Sequence, residues 1–142
     1  MNGRFWLSVV VLSIVSMLLG FLVHGLLLGG EYAKLVPNMF RTPEDSQHYL
    51  PFMIAQNILF AIGFTWIYRH GRENGRPWLG QGLRFGVAVA VMATVPTFLI
   101  YYAVQPTPSD LVAQQIAFGS IAVIVMGIVA AAVNRDPAPP RP

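Results

Sequence analysis

His24, Gln56, Asn57, Thr97, Tyr101, Gln114 and Gln115 interrupt long apolar runs in a chain that keeps every formal charge outside them. Their types suggest two chemistries. Amides, a hydroxyl and a phenol are hydrogen-bonding groups; between membrane helices they fix rotation and register, at about 0.6 kcal/mol per bond. His24 adds a ligand function. A neutral imidazole binds haem iron, the central metal of a chlorophyll, or zinc. Gly25 beside it leaves room for a flat macrocycle. Zinc needs further ligands, and His48 and the acids near it are the nearby ones. No HxxxH or HExxH spacing occurs, so no metal site is assigned. The residues therefore support two readings, interhelical hydrogen bonding or a haem- or pigment-binding site centred on His24.

Four elements must position these groups. Phe5–Gly30, Tyr49–Tyr68, Phe85–Ser109 and Leu111–Asn134 contain no formal charge. A bilayer core about 30 Å thick takes about 20 mostly apolar residues per helix, and each run supplies them. The expected fold is all-α: an integral membrane four-helix bundle running up-down-up-down, with spans at 5–30, 49–68, 84–105 and 110–134. Residues 1–135 then form one domain, followed by a Pro-rich tail at 136–142 that is expected to be extended or disordered. His24 lies six residues from Gly30, Gln56 and Asn57 five and six from Pro51, Thr97 seven from Val104, and Gln114 and Gln115 four and five from Asp110. At the rise of a helix this sets all of them roughly 6–11 Å below one membrane face. The expectation is a polar layer inside that half of the bundle, with only scattered Ser and Thr in the other half.

Apolar residues make up 55% of the 142 and charged residues 11%, the reverse of a soluble balance. The net charge of +3 comes from arginines at span ends, without a basic stripe interleaved with aromatics, so nucleic acid is excluded as a partner. The absence of cysteine excludes disulfides, thiolate-held metals and Cys nucleophiles. The first run is longer than a signal-peptide core and no A-x-A site follows it, which points to an uncleaved first helix. Arg4, Arg69, Arg72, Arg76, Arg84, Arg135 and Arg141 fall on one side; only Lys34 and Arg41 fall on the other. The positive-inside rule then places both termini in the cytoplasm and the protein in the cell's inner (cytoplasmic) membrane.

The connections carry their own signals. Tyr32, Leu35, Val36, Met39 and Phe40 are spaced as on a helix and suit a short segment in the outer interface, with Pro37 limiting its regularity. Thr42-Pro43-Glu44-Asp45 reads as a cap, a first-turn proline and first-turn acids, so a helix should start there, and Pro51 should bend it. The loop from Arg69 to Arg84, with Arg72, Arg76 and Trp78, suits anionic lipid or an acidic partner. Gly82-x-x-x-Gly86-x-x-x-Ala90 lets another helix approach closely, internal or from a second copy; Gly25/Gly29 and Gly127/Ala131 repeat the spacing. Pro96 should kink span three, with Thr94 and Thr97 beside it to satisfy freed backbone groups. Ser109 or Asp110 should cap span four after the short turn at 105–110. Ser8, Ser13 and Ser16 have no base near them in sequence and read as packing residues.

FLVHGLLL in span one, QGLRFG entering span three and YAVQPTP leaving it resemble a widespread group of small four-span bacterial membrane proteins with no established function. The resemblance implies the fold and an acid before the phenylalanine of span one, where this chain has Gly20. Motifs for acyl transfer, phosphate binding or paired intramembrane carboxylates do not occur. The expected function is non-enzymatic: an accessory or stabilising subunit of a larger respiratory or photosynthetic membrane complex, with the bilayer and other membrane subunits as partners. Two alternatives remain open: a cofactor- or small-ligand-binding module using His24, and a small transporter or pore built by self-association.

Overall fold

The computed structural model describes residues 3–36 and 38–135. These are mostly helical, with no strand among them. Helix α1 (Gly3–Gly20) continues as a π-helical segment, Phe21–Leu27, and is followed by the short α2 (Gly29–Ala33). Then come α3 (Pro43–His48), α4 (Leu50–Gly71), α5 (Trp78–Val89), a second π-helical segment (Ala90–Thr94), α6 (Val95–Val104) and α7 (Ser109–Asn134). Four stretches are long and apolar enough to cross a membrane: Gly3–Leu27, Leu50–Gly71, Trp78–Val104 and Ser109–Asn134. The protein is a multi-pass membrane protein by that measure.

The π segment before α6 has a direct cause. Pro96 has no N–H to give the helix, and its ring would crowd the carbonyl four residues back. Widening the turn relieves that clash: the Val95 N–H reaches back to Ala90 O instead of one residue nearer. The π segment in span one, Phe21–Leu27, contains no proline. Thr42 accepts from the Asp45 N–H at 3.3 Å and Pro43 opens α3, as the capping pattern requires. The break before α4 falls at Tyr49, with Pro51 in the first turn. Span four departs from expectation. Its cap position is Pro108, which offers no side-chain acceptor, so Ser109 and Asp110 are first-turn residues and not caps. Residues 34–36 and 38–40 form turns and a bend in place of a continuous interfacial helix. Pro37 and the tail at 136–142 lie outside the described residues.

Helix α7 is the hub. It packs most extensively on α5 and also on α1, while α4 lies chiefly along α1. The α5–α7 seam is built from glycine. A Cβ on Gly86 would sit 2.6 Å from Ile124 Cα, and one on Gly82 would sit 2.7 Å from Gly127 O. Backbones therefore touch there, which is the source of attraction between helices when lipid is as apolar as the side chains. Ala131 is fully buried and Ala90 nearly so, and Ala131 lies against the Gly82 position. This face is filled by the chain's own α7. Gly25 and Gly29 do not take the role that their spacing suggested: a Cβ on Gly25 meets only its own helix's Phe21 ring, at 3.0 Å, and one on Gly29 meets only His24 O, at 3.8 Å.

Two apolar clusters result. The larger joins Phe5, Val9 and Leu12 of α1 to Ala61, Phe64 and Tyr68 of α4 and Met126, Ala130 and Ala131 of α7. Phe64 and Tyr68 meet Phe85 of α5 at 4.7 and 5.4 Å between ring centres, an aromatic contact that ties α4 to the α5–α7 pair. The smaller cluster, Val23, Leu28 and Leu111 with Tyr32 and Leu35 against it, closes the other end between α1, α2 and α7.

Candidate functional site

His24 lies within the π-helical segment of span one, eight residues before Tyr32. Its Nδ1 and the Tyr32 hydroxyl share a hydrogen bond of 2.7 Å, and the two rings lie 26° from parallel with centres 5.8 Å apart. Gln115, buried on α7, donates from Nε2 to the same hydroxyl oxygen at 3.0 Å. Burial raises the Tyr32 hydroxyl above its ordinary pKa, opposed by the Gln115 bond, so the phenol keeps its proton. Tyr32 is held further by the Phe40 ring at 4.9 Å. The outcome is an oriented imidazole. Nδ1 is engaged, the ring is backed by Tyr32, and Nε2 is the nitrogen left for a ligand. When Tyr32 donates to Nδ1, Nε2 carries a proton and suits an oxygen acceptor. When Nδ1 donates to Tyr32, Nε2 keeps a lone pair and suits a metal. π-Helical turns often mark functional sites. The space beside Gly25, however, is occupied by the Phe21 ring, so it is not the slot that a flat macrocycle needs.

The rest of the anticipated polar layer divides. Asn57 turns to a different partner: its Oδ1 accepts from Ser16 Oγ at 2.6 Å and its Nδ2 donates to Met53 O at 2.8 Å. Gln56, Thr97, Tyr101 and Gln114 lie on exposed surfaces of their helices and join neither network. Only His24 and Gln115 of the seven are brought together, and through a residue that the sequence reading assigned to the outer interface.

The most buried polar cluster lies at the opposite end, where scattered Ser and Thr were expected. Asn134 Nδ2 donates to Ser8 Oγ at 3.0 Å and to Ala130 O at 2.9 Å, and Ser8 Oγ lies 3.4 Å from Thr65 Oγ1. All three side chains are buried. One residue from each of α1, α4 and α7 is thereby joined. Asn134 Oδ1 and Ser13 Oγ are left without a partner among the described residues. The node adjoins the basic span ends. Arg4 donates to Arg135 O at 3.3 Å, and Arg72 donates to Asn134 O, so two guanidinium groups satisfy the final carbonyls of α7.

Of the loop residues, Arg76 and Arg84 bind the two carboxylate oxygens of Glu73, at 3.4 and 2.5 Å. The Arg84 hydrogen bond, followed by its charge, holds the Glu73 carboxyl below its usual range. Gln81 clamps the same loop, accepting from the Glu73 N–H and donating to Arg76 O. Arg69 reaches over the Phe5 ring at 5.9 Å. Trp78 opens α5 at the membrane boundary. A cavity of about 860 Å³ lies here, and none of the residues lining it belongs to the anticipated polar layer.

No curated protein and no solved structure matches the chain. A family model described as "Protein of unknown function (DUF1761)" matches residues 7–131. That match takes in spans two and three, most of spans one and four, and His24, and the chain belongs to the DUF1761 family.

Proposed function

We propose that this chain is a non-enzymatic accessory subunit of the inner membrane, with both termini cytoplasmic, that stabilises a larger membrane assembly of the respiratory or photosynthetic kind. One observation carries the reading. Between Leu50 and Leu59 of α4 every residue except Asn57 is exposed, and this stretch includes Gln56. Gln114 of α7 is exposed within its span as well. Lipid tails offer an amide no hydrogen bond, and polar groups within a span turn toward protein or water. A neighbouring membrane subunit supplies both the apolar cover for α4 and the partner for its amide.

The expected result for Gln56→Leu is an unchanged unfolding temperature of the isolated chain and a partner retained about threefold to tenfold less well on purification in mild detergent. Deleting the protein should weaken the purified complex while leaving its chemistry intact. A Gln56→Leu variant that holds every membrane complex as the parent does would count against the reading.

The oriented His24 supports a second reading, a small-ligand module at the opposite end from the arginines. Tyr32→Phe keeps the ring stacked but removes the hydroxyl that joins His24 to Gln115. It should weaken ligand retention about fivefold to tenfold, by loss of the hydrogen bonds that the hydroxyl makes to His24 and Gln115, and His24→Ala should abolish it. Identical small molecules extracted from the parent protein and from His24→Ala would remove this reading.

A further inference from the structure

The cavity at the basic end is lined from all four spans. Arg4 comes from the start of α1, Tyr68 from the last turn of α4, Trp78 from the start of α5, and Asn134 from the end of α7. The lining is thus at the level where spans leave hydrocarbon, the depth of lipid headgroups. Its charge is strongly one-sided. Among the described residues four arginines, Arg4, Arg72, Arg76 and Arg135, line it against one carboxylate, Glu73. Glu73 is already shared between Arg76 and Arg84. Arg4 donates to a main-chain carbonyl, which leaves its formal charge in place. A volume of about 860 Å³ exceeds what one inorganic phosphate fills and falls in the range of small-molecule sites.

From this geometry we infer that the cavity is a binding site for the phosphate-bearing headgroup of an anionic glycerophospholipid. The guanidinium groups present planar N–H forks to phosphate oxygens. Tyr68 and Trp78 bring aromatic surface to the headgroup–acyl boundary, and the acyl chains run down the lipid-facing side of the bundle. Basic pockets between spans on the cytoplasmic side are where such headgroups bind. The bound lipid would bridge α1, the loop after α4 and the end of α7, reinforcing the contact already made by Arg4 and Arg72. The inference concerns the isolated chain and does not rest on the partner proposed above.

The test is native mass spectrometry of the purified, delipidated full chain titrated with phosphatidylglycerol, cardiolipin or phosphatidylcholine, with soluble glycerol 3-phosphate as competitor. The expected result is one anionic lipid retained per chain and no retained phosphatidylcholine. Arg76 and Arg135 are exposed, and the bond that Arg135 contributes at the end of α7 is through its main-chain carbonyl, so replacing the two side chains should leave the fold intact. Arg76→Gln/Arg135→Gln should weaken anionic-lipid binding about twenty-five-fold, from about fivefold per arginine. Lys34→Gln, at the other end of the bundle, should leave binding unchanged. Equal retention of phosphatidylcholine, or full anionic-lipid binding by the double variant, would overturn the assignment. Competition by glycerol 3-phosphate at the lipid's own concentration would overturn the lipid as the ligand in favour of a soluble phosphate ester.

Discussion

Gly86→Ala should destabilise the bundle by about 1–3 kcal/mol, although the same exchange in an open helix interior is stabilising by about 0.5–1 kcal/mol. The reason is that the added methyl has nowhere to go. It would lie 2.6 Å from Ile124 Cα and 3.1 Å from the carbonyl oxygens of Val123 and Ile124, all backbone atoms. Relief requires α5 and α7 to separate along the most extensive helix contact in the chain. Gly82→Ala meets Gly127 O and Ile128 Cα in the same way, at 2.7 and 2.9 Å. Gly80→Ala is the internal control, since nothing lies within 4 Å of its Cβ position. Unfolding in detergent, followed by helical circular dichroism, should therefore show opposite signs for Gly86→Ala and Gly80→Ala. Two variants of equal stability would mean that α5 and α7 do not meet at this seam.

Phe64→Ala should cost about 2–3 kcal/mol and act on a different joint. In water, truncating a buried Phe costs about 3–5 kcal/mol, of which part is transfer from water. Lipid removes that part and leaves the lost dispersion contacts. Phe64 is 3% exposed and meets both Phe60 and Phe85. With Tyr68 it forms the aromatic link between α4 and α5. The variant should unfold earlier, and α4 should become accessible to proteolysis near its basic end before the α5–α7 hairpin does. Phe52→Ala, at a side chain 71% exposed on α4, should change neither property. Equal effects at the two positions would argue that α4 is not held by this aromatic contact.

Both predictions fall on contacts whose residues were visible in the sequence but whose partners were not. The four spans could be read directly, because uncharged runs of this length have few other uses. The start of α3 could be read too, since Thr42, Pro43 and the acids after it each favour a helix N-terminus for a separate physical reason. Facing could not. A helix that is apolar on all sides carries no stripe to show which side is inside. Gln114 and Gln115 are neighbours, yet one is exposed and the other is buried against Tyr32. Depth placed His24, Gln56, Asn57 and Thr97 at one level, but only rotation decides which of them meet. Tyr32 was read as interfacial because it shares helix-like spacing with Leu35, Val36, Met39 and Phe40. It meets His24 from α2, across the end of the π-helical segment of span one, and no residue pattern announces that segment. The Ser8–Thr65–Asn134 node was missed for a similar reason. Each member is a single small polar residue, and their convergence is a property of packing.

In the proposed function another membrane protein completes this subunit at the exposed half of α4. The most direct measurement is purification of the tagged chain from its native membrane in mild detergent, with mass spectrometry and an absorption spectrum on the same sample. The account predicts stoichiometric co-purification with a larger membrane complex, lost selectively in Gln56→Leu. A chain that purifies alone in its native lipids, with no partner at stoichiometric level, would contradict it.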